Sequence, residues 1–244
     1  MFEVGPNANG IQTFLLSQIS GDVATAPIEQ QPALQAITAQ AKEVAERFAA
    51  FVADAKRTLD VCIYDFRLDI DEIRDVVVSA INQAASRGVA VRIAYDRNEK
   101  GDEPILKLFQ GAGGDPAPTG THDFLSRKAG LHEAVARKPI AEEAIEAGHQ
   151  IMHNKYLVRD AADEAAAVWM GSANFTIDAW ALQENNIVVF TDCPELAAKY
   201  EQDFDDLWKA GALKGTGAGL DGAVKVTGQQ IDYGFAPGDG VPVM

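Results

Sequence analysis

A histidine and a lysine stand two residues apart, at His153 and Lys155, and both side chains could act on a phosphate group. The segment from Gln150 to Arg159 alternates between two sets of side chains, which is typical of a β-strand. In a strand, a separation of two residues places the imidazole and the ammonium group on one face, about 7 Å apart. We therefore expect one phosphate to contact both side chains.

Further polar residues follow the strands predicted around this pair. Ser172 and Asn174 come directly after an apolar strand at 165–170, where they present a hydroxyl and an amide at the edge of a loop. Such edges are where open α/β sheets bind ligands. Asp160 ends the strand that carries the histidine, and Glu184 stands shortly before another apolar run.

The surrounding elements predict an α/β fold. A helix at 32–56 is followed by a strand at 59–66, a helix at 71–87 and a strand at 89–95, which together form a βαβ unit. Such crossovers favour parallel strands covered by helices, so we expect a mixed, largely parallel sheet with helices on both faces. The remaining predicted elements are two strands and a helix, at 165–170, 186–191 and 194–208.

The chain is expected to divide into three parts. Residues 1–31 are expected to be an irregular N-terminal segment, 32–210 the catalytic lobe, and 211–244 a linker and candidate start of a second lobe. Within the lobe, a loop rich in glycine and proline at 111–118 precedes a segment of short helices at 124–148. Long excursions of this kind commonly face the substrate in α/β enzymes.

The composition favours a folded protein without a metal or another cofactor. Of the 244 residues, 47% are hydrophobic and 23% are charged, which is ordinary for a globular chain. The net charge of −15 disfavours a polyanionic nucleic acid as ligand, although a local basic groove could override that average. Cys62 and Cys193 form no CxxC pair and therefore no zinc or redox motif, and nothing in the sequence supports a disulfide between them.

The other histidines are weaker candidates for chemistry. His149 and His153 are four residues apart, as in a helical metal pair, but the strand-like alternation contradicts a helix and no third ligand stands nearby. His122 and His132 lack a lysine two residues later, and we interpret them as loop and surface residues.

No targeting or membrane segment is predicted. The N-terminus lacks a positively charged region, and no apolar run approaches the roughly 18 residues of a membrane span. We expect a cytoplasmic protein.

Taken together, these residues resemble the motifs of the phospholipase D superfamily. The run from His153 to Asp160 fits HxKxxxxD, and the run from Gly171 to Asn174 fits the GSxN that follows it. The run at 183–190 is similar to the family's next element, in which a glutamate and an asparagine precede an apolar strand. The resemblance covers about 59–208 and implies a metal-independent phosphodiesterase.

The resemblance also implies a role for each residue. In the family, one histidine attacks phosphorus to give a phosphohistidine, and a second histidine protonates the leaving alcohol and then activates water. His153 would be one of that pair, with Glu184 fixing its tautomer. Lys155, Ser172 and Asn174 would hold the phosphate oxygens. Asp160 completes the catalytic motif, with a structural role at the end of the strand.

The chain carries one HxKxxxxD, so the second histidine must come from elsewhere. The run at 224–237 is similar to the strand and turn that open the second lobe of two-motif members, which favours a lobe absent from this sequence. A homodimer is the alternative. We expect a phospholipid or related diester as substrate; the alternatives are an endonuclease of the same type and a catalytically incomplete lobe that binds phosphate or lipid.

Overall fold

The computed structural model describes residues 3–4, 10–19, 31–97, 120–141, 143–145 and 148–236. Its strands are β1 (Glu3–Val4), β2 (Ile11–Leu16), β3 (Thr58–Ile63), β4 (Phe66–Arg67), β5 (Ala90–Asp96), β6 (Ala136–Ile140), β7 (Glu143–Ile145), β8 (Gly148–Gln150), β9 (Lys155–Arg159), β10 (Ala167–Gly171), β11 (Phe175–Thr176), β12 (Asn185–Phe190), β13 (Gly222–Val226) and β14 (Gln229–Tyr233). Its α-helices are α1 (Gln31–Ala53), α2 (Asp71–Ser86), α3 (Thr121–Asp123) and α4 (Pro194–Ala210), and single π-helical turns span Phe124–Lys128 and Asp178–Leu182.

The main sheet has the strand order β1-β2-β12-β10-β9-β3-β5-β6 and is mixed, as predicted. The prediction that it is largely parallel is wrong. Pairing is parallel between β3, β5 and β6, and it is antiparallel from β3 through β9, β10, β12 and β2 to β1. The helical crossover through α2 makes β3 and β5 parallel, whereas the short turn between β9 and β10 reverses the chain.

The N-terminal part of the chain contributes a strand to this sheet. Phe14 and Leu16 of β2 are buried, and the strand pairs with β12 along its whole length. The prediction that 1–31 is irregular is therefore wrong at Ile11–Leu16. Its partner strand lies some 170 residues later in the chain, so a local pattern of six residues could not reveal the pairing.

Helices cover both faces of the sheet, as predicted. On one face, Trp169 of β10 packs edge-on against Phe48 and Phe51 of α1, with ring centroids 6.2 and 5.9 Å away. On the other face, Tyr156 of β9 packs against Tyr200 of α4 at 4.9 Å. The core therefore forms two layers, one on each side of β9 and β10.

The segment after Lys128 is less helical than predicted. The short helices expected at 124–148 are present as a π-helical turn, but β6, β7 and β8 occupy much of the rest. β6 extends the parallel part of the sheet through its pairing with β5. The loop at 111–118 lies outside the described residues, and only the backbone of His149 is described.

Strands β13 and β14 form a hairpin of their own. Val224, Val226 and Phe235 are buried within the same hydrophobic core as the main sheet. The Phe235 ring packs edge-on against Tyr200 of α4, with centroids 5.0 Å apart. The segment expected to begin a second lobe thus packs on this domain. Among the described residues, no helix combines the length and apolar character needed to span a membrane.

Candidate active site

The candidate residues meet at one edge of the sheet. Ile63 at the end of β3 pairs with Lys155 at the start of β9, and Gly171 at the end of β10 pairs with Ile187 near the start of β12. Because β9 and β10 are antiparallel, the start of one lies beside the end of the other. The fold therefore places both motifs at the same edge.

His153 precedes β9 rather than lying within it, so the predicted strand at 150–159 is too long. Within the described structure, the residues just before β9 do not pair with a neighbouring strand. Instead, the Met152 N–H donates to the buried carboxylate of Asp96, at 2.9 Å. The carbonyl of Asn154 accepts the Tyr64 N–H at 2.8 Å. These two bonds hold the short stretch that carries the histidine.

The His153 side chain is exposed at this edge, and its ring meets that of Tyr64 edge-on, with centroids 4.8 Å apart. Partial burial lowers the pKa of His153 below its usual 6.5, and the charge of Lys155 lowers it further against the opposing effect of Asp96. The neutral imidazole, which is the form that can attack phosphorus, is therefore favoured at neutral pH.

Lys155 is buried beside the histidine, with 8% of its surface exposed. Its Nζ donates to the carbonyl of His153 at 3.0 Å and lies 5.2 Å from the centre of the Tyr64 ring. Burial lowers the pKa of Lys155 to about 8, with Asp65 acting in the opposite direction. The ammonium group remains mostly charged at neutral pH, which suits it to bind an anion.

Tyr64 was missed by sequence reasoning, although its position carried a signal. It directly follows the last residue of β3, at the edge where ligands are expected. Its ring contacts the side chains of both His153 and Lys155 and so positions them next to each other.

Asp160 lies at the opposite end of β9. Its carboxylate accepts the backbone N–H groups of Lys56, Arg57 and Thr58 at 2.9, 2.7 and 3.0 Å. Its own backbone is in the left-handed region, with φ of 52°. These bonds tie the end of β9 to the start of β3, which is a structural role.

Ser172 and its neighbours close the loop between β10 and β12. The Ser172 hydroxyl donates to Asn185 Oδ1 at 2.8 Å and accepts the Asn186 N–H at 3.0 Å. Gly171 allows this close approach, because a Cβ atom there would lie 2.2 Å from the carbonyl oxygen of Asn186. Ser172 thus braces the loop, and its role in binding substrate stays a prediction.

Asn174 and Glu184 differ in their surroundings. Asn174 Oδ1 is buried and has no hydrogen-bond partner among the described residues. Glu184 is exposed just before β12, and within the described chain its carboxylate makes no hydrogen bond to His153. The orienting role of Glu184 stays a prediction. Both cysteines are free and buried, and the described residues contain no cluster of three His, Cys, Asp or Glu side chains suited to a metal ion.

A buried carboxylate supports the motif from the α4 side. Asp203 is 1% exposed, and its Oδ2 accepts the Tyr156 hydroxyl at 2.7 Å and the Asn154 amide at 3.4 Å. Burial raises the pKa of Asp203 to about 6, and Asp206 adds to the rise while Tyr156 opposes it. The two residues that it holds flank Lys155 in sequence. Sequence reasoning missed this residue because it counted only the apolar stripe of the helix.

A cleft of about 560 Å³ opens beside the histidine. Its polar lining consists of His153, Asn154 and Lys155, together with the ring-bearing Tyr156 and Tyr200. The remaining lining residues are apolar or glycine, namely Ile151, Met170, Gly171, Leu213, Gly234, Phe235 and Ala236. The cleft therefore offers both polar and apolar surface to a bound group.

Comparison with known proteins assigns the family. The family described as "Cardiolipin synthase, PLD-like domain" matches residues 49–208. The mitochondrial cardiolipin hydrolase of Chlamydomonas reinhardtii is 31% identical over 163 residues, which cover 66% of this chain and 56% of that protein. Its counterpart from Danio rerio is 26% identical over 164 residues, covering 67% and 56%.

The chain thus spans a little over half the length of these curated relatives. Among solved structures, NucT from Helicobacter pylori matches with a TM-score of 0.49 at 19% identity, covering 82% of this chain and 96% of that one. Because the family match extends over well more than half of the residues and includes both motifs, this chain belongs to the phospholipase D superfamily of phosphodiesterases.

Proposed function

We propose that the protein cleaves a phosphodiester through a covalent phosphohistidine on His153. The observation that carries this proposal is the pairing of a histidine whose pKa is lowered with a buried, charged lysine, both of which line the cleft. A neutral imidazole supplies the nucleophile, and the ammonium group supplies charge for the phosphate.

In the first step, a ring nitrogen of His153 forms a bond to phosphorus as the bond from phosphorus to the leaving oxygen breaks. The leaving alkoxide takes a proton from a second histidine. That histidine then removes a proton from water, whose oxygen attacks phosphorus while the bond to His153 breaks. Atoms and charge balance with water as the co-substrate.

Lys155 and Asn174 would bind the non-bridging oxygens during both steps. Of the three N–H donors of Lys155, the described residues accept one, which leaves donors for a phosphate. The Asn174 Oδ1 atom is buried and has no hydrogen-bond partner among the described residues, and a half-turn of the amide would present its N–H group instead. Glu184 would orient a histidine once the second motif is in place.

The second histidine would come from another copy of the motif, either in a further lobe or in a second copy of this chain. The packing of β13 and β14 into the core of this domain favours the second copy. Light scattering coupled to gel filtration tests this point: an active dimer supports it, and a monomer that turns over substrate contradicts it.

The preferred substrate would be a phospholipid or a related diester of low charge. The net charge of −15 weighs against a long polyanion as substrate. The cleft lining points the same way, because within the described part of the chain Lys155 is its one lysine or arginine.

Turnover of phosphatidylcholine, bis(p-nitrophenyl) phosphate and single-stranded DNA in EDTA tests the function. We expect hydrolysis by the wild type and its loss in His153→Ala, whereas the matched variant His132→Ala, which removes a histidine away from the motif, keeps it. Equal activity in His153→Ala would overturn the proposed site. Preferential cleavage of DNA would establish the nuclease alternative.

A further inference from the structure

The cleft beside His153 has a wall that the family match does not include. Leu213, Phe235 and Ala236 line the cleft, and all three lie beyond the matched residues 49–208. The part of the chain after α4 therefore shapes the space next to the nucleophile.

This wall is held in place by aromatic packing and a backbone bond. The Phe235 ring packs edge-on against Tyr200 at 5.0 Å and against Tyr233 at 6.3 Å. The Phe235 N–H donates to the carboxylate of Asp221 at 3.3 Å. Phe235 and Leu213 are 8% and 4% exposed, so the wall is a fixed surface rather than a loose tail.

The cleft is lined by both polar and apolar side chains. His153 and Lys155 line it together with Leu213, Met170 and the aromatic wall. Ile151, at 41% exposure, adds a large apolar side chain that faces solvent. At about 560 Å³ the cleft falls within the range of roughly 300 to 1,000 Å³ that is usual for small-molecule sites.

We infer that this wall binds the acyl-bearing side of a phospholipid, so that Phe235 and Leu213 select diesters with an apolar substituent. The inference rests on the proposed function and assigns its specificity to named residues. A phosphate held by His153 and Lys155 would place its adjoining substituent against Phe235.

The chemistry of the lining favours lipid over nucleic acid as the occupant. Binding a nucleic acid strand requires several lysine or arginine side chains along its backbone, whereas among the described residues Lys155 alone supplies such a side chain to the cleft. An alkyl chain requires only apolar surface removed from water, which the wall supplies.

Two soluble p-nitrophenyl phosphodiesters test the inference, one bearing a methyl and one an octyl substituent. We expect the wild type to favour the octyl ester in kcat/KM, and Phe235→Ala to reduce the octyl-to-methyl ratio by about tenfold, because the lost ring contact is worth roughly one such factor. Val224→Ala is the matched control, since Val224 is also 8% exposed and lies in the hairpin that precedes Phe235, but does not line the cleft. It should leave the ratio unchanged.

A second variant covers the case in which Phe235→Ala fails to fold. Ala236 is exposed and lines the cleft, so Ala236→Trp should obstruct it without disturbing the core. We expect this variant to lose most of the octyl preference. Titration calorimetry with octyl and methyl phosphate gives a readout independent of turnover, and the wild type should bind the octyl compound at least about tenfold more tightly.

The outcomes separate this inference from the proposed function. Selective binding of octyl phosphate without turnover of any diester would support the proposed role of the wall and overturn the proposed cleavage reaction. Turnover without preference for the octyl ester, or a preference that survives both variants, would overturn the proposed role of the wall and leave the proposed cleavage reaction unaffected. Displacement of octyl phosphate by single-stranded DNA would make nucleic acid the occupant and overturn the inference.

Discussion

At one end of β9 the buried Asp160 carboxylate accepts three backbone N–H groups, whereas at the other end the buried Lys155 ammonium group donates to one carbonyl among the described residues. The two side chains are 3% and 8% exposed, so burial alone does not distinguish them. The difference lies in how fully their hydrogen bonds are satisfied. A buried charged group whose hydrogen bonds are made within the protein stabilises the fold. A buried charged group that keeps unused hydrogen-bond donors can bind a ligand.

The comparison predicts that mutation at one end of the motif lowers activity, whereas mutation at the other end lowers stability. At the site end, His153→Ala should lower kcat/KM for a diester by about 10³-fold or more, because it removes the nucleophile. The free energy of unfolding should change by less than about 0.5 kcal/mol, because the side chain is exposed. Steady-state kinetics and urea unfolding of the same sample check both. A large loss of stability would mean that His153, like Asp160, has a structural role.

At the structural end, Asp160→Ala should lower the free energy of unfolding by about 3 kcal/mol, because three N–H groups lose their acceptor. Asp160→Asn keeps one acceptor oxygen and should lose less. Urea unfolding measures the difference, and kinetics on the folded fraction should show little change. A stable but inactive Asp160→Ala protein would contradict the structural role.

The motif and its edge of the sheet could be predicted because the signal is local. The alternation around Lys155 and the residues after β10 depend on a few neighbouring positions, and the fold brings them to the same edge. The antiparallel pairing of β9 with both β3 and β10 is decided instead by contacts between distant segments.

The supporting residues could not be predicted for a related reason. Asp203 interrupts the apolar stripe of α4 and acquires its role only when the helix lies against Asn154 and Tyr156. Phe235 likewise becomes part of the cleft only through its packing on Tyr200. Both depend on tertiary contacts that no local pattern encodes.

The lowered pKa values of the site predict a bell-shaped pH profile for kcat/KM. Activity should rise as His153 loses its proton, at a pKa below 6.5, and should fall as Lys155 loses its charge near pH 8. In Lys155→Arg, whose charge persists at high pH, the alkaline limb should disappear even if the remaining rate is low. An unchanged alkaline limb in that variant would assign it to another group.

The smallest effect is expected from Asp203, whose carboxylate accepts hydrogen bonds from Asn154 and Tyr156 beside the site. Its folded-state pKa of about 6 lies above the 3.8 that is usual for an aspartate carboxyl, so the folded protein binds this proton more tightly than the unfolded chain does. Its contribution to stability is therefore fully present below about pH 4 and is lost as the pH rises through 6. Asp203→Asn should flatten that slope in urea unfolding between pH 4 and 6. An identical slope in both proteins would contradict this.

The most direct test of the central claim is to trap the covalent intermediate on His153. The protein is mixed with bis(p-nitrophenyl) phosphate in EDTA, quenched under denaturing alkaline conditions and digested for mass spectrometry. We predict a p-nitrophenyl phosphoryl adduct on the peptide that contains His153, formed with a burst of p-nitrophenol and absent from His153→Ala. Rapid turnover with no adduct on that peptide, or an adduct on another residue, would contradict the account.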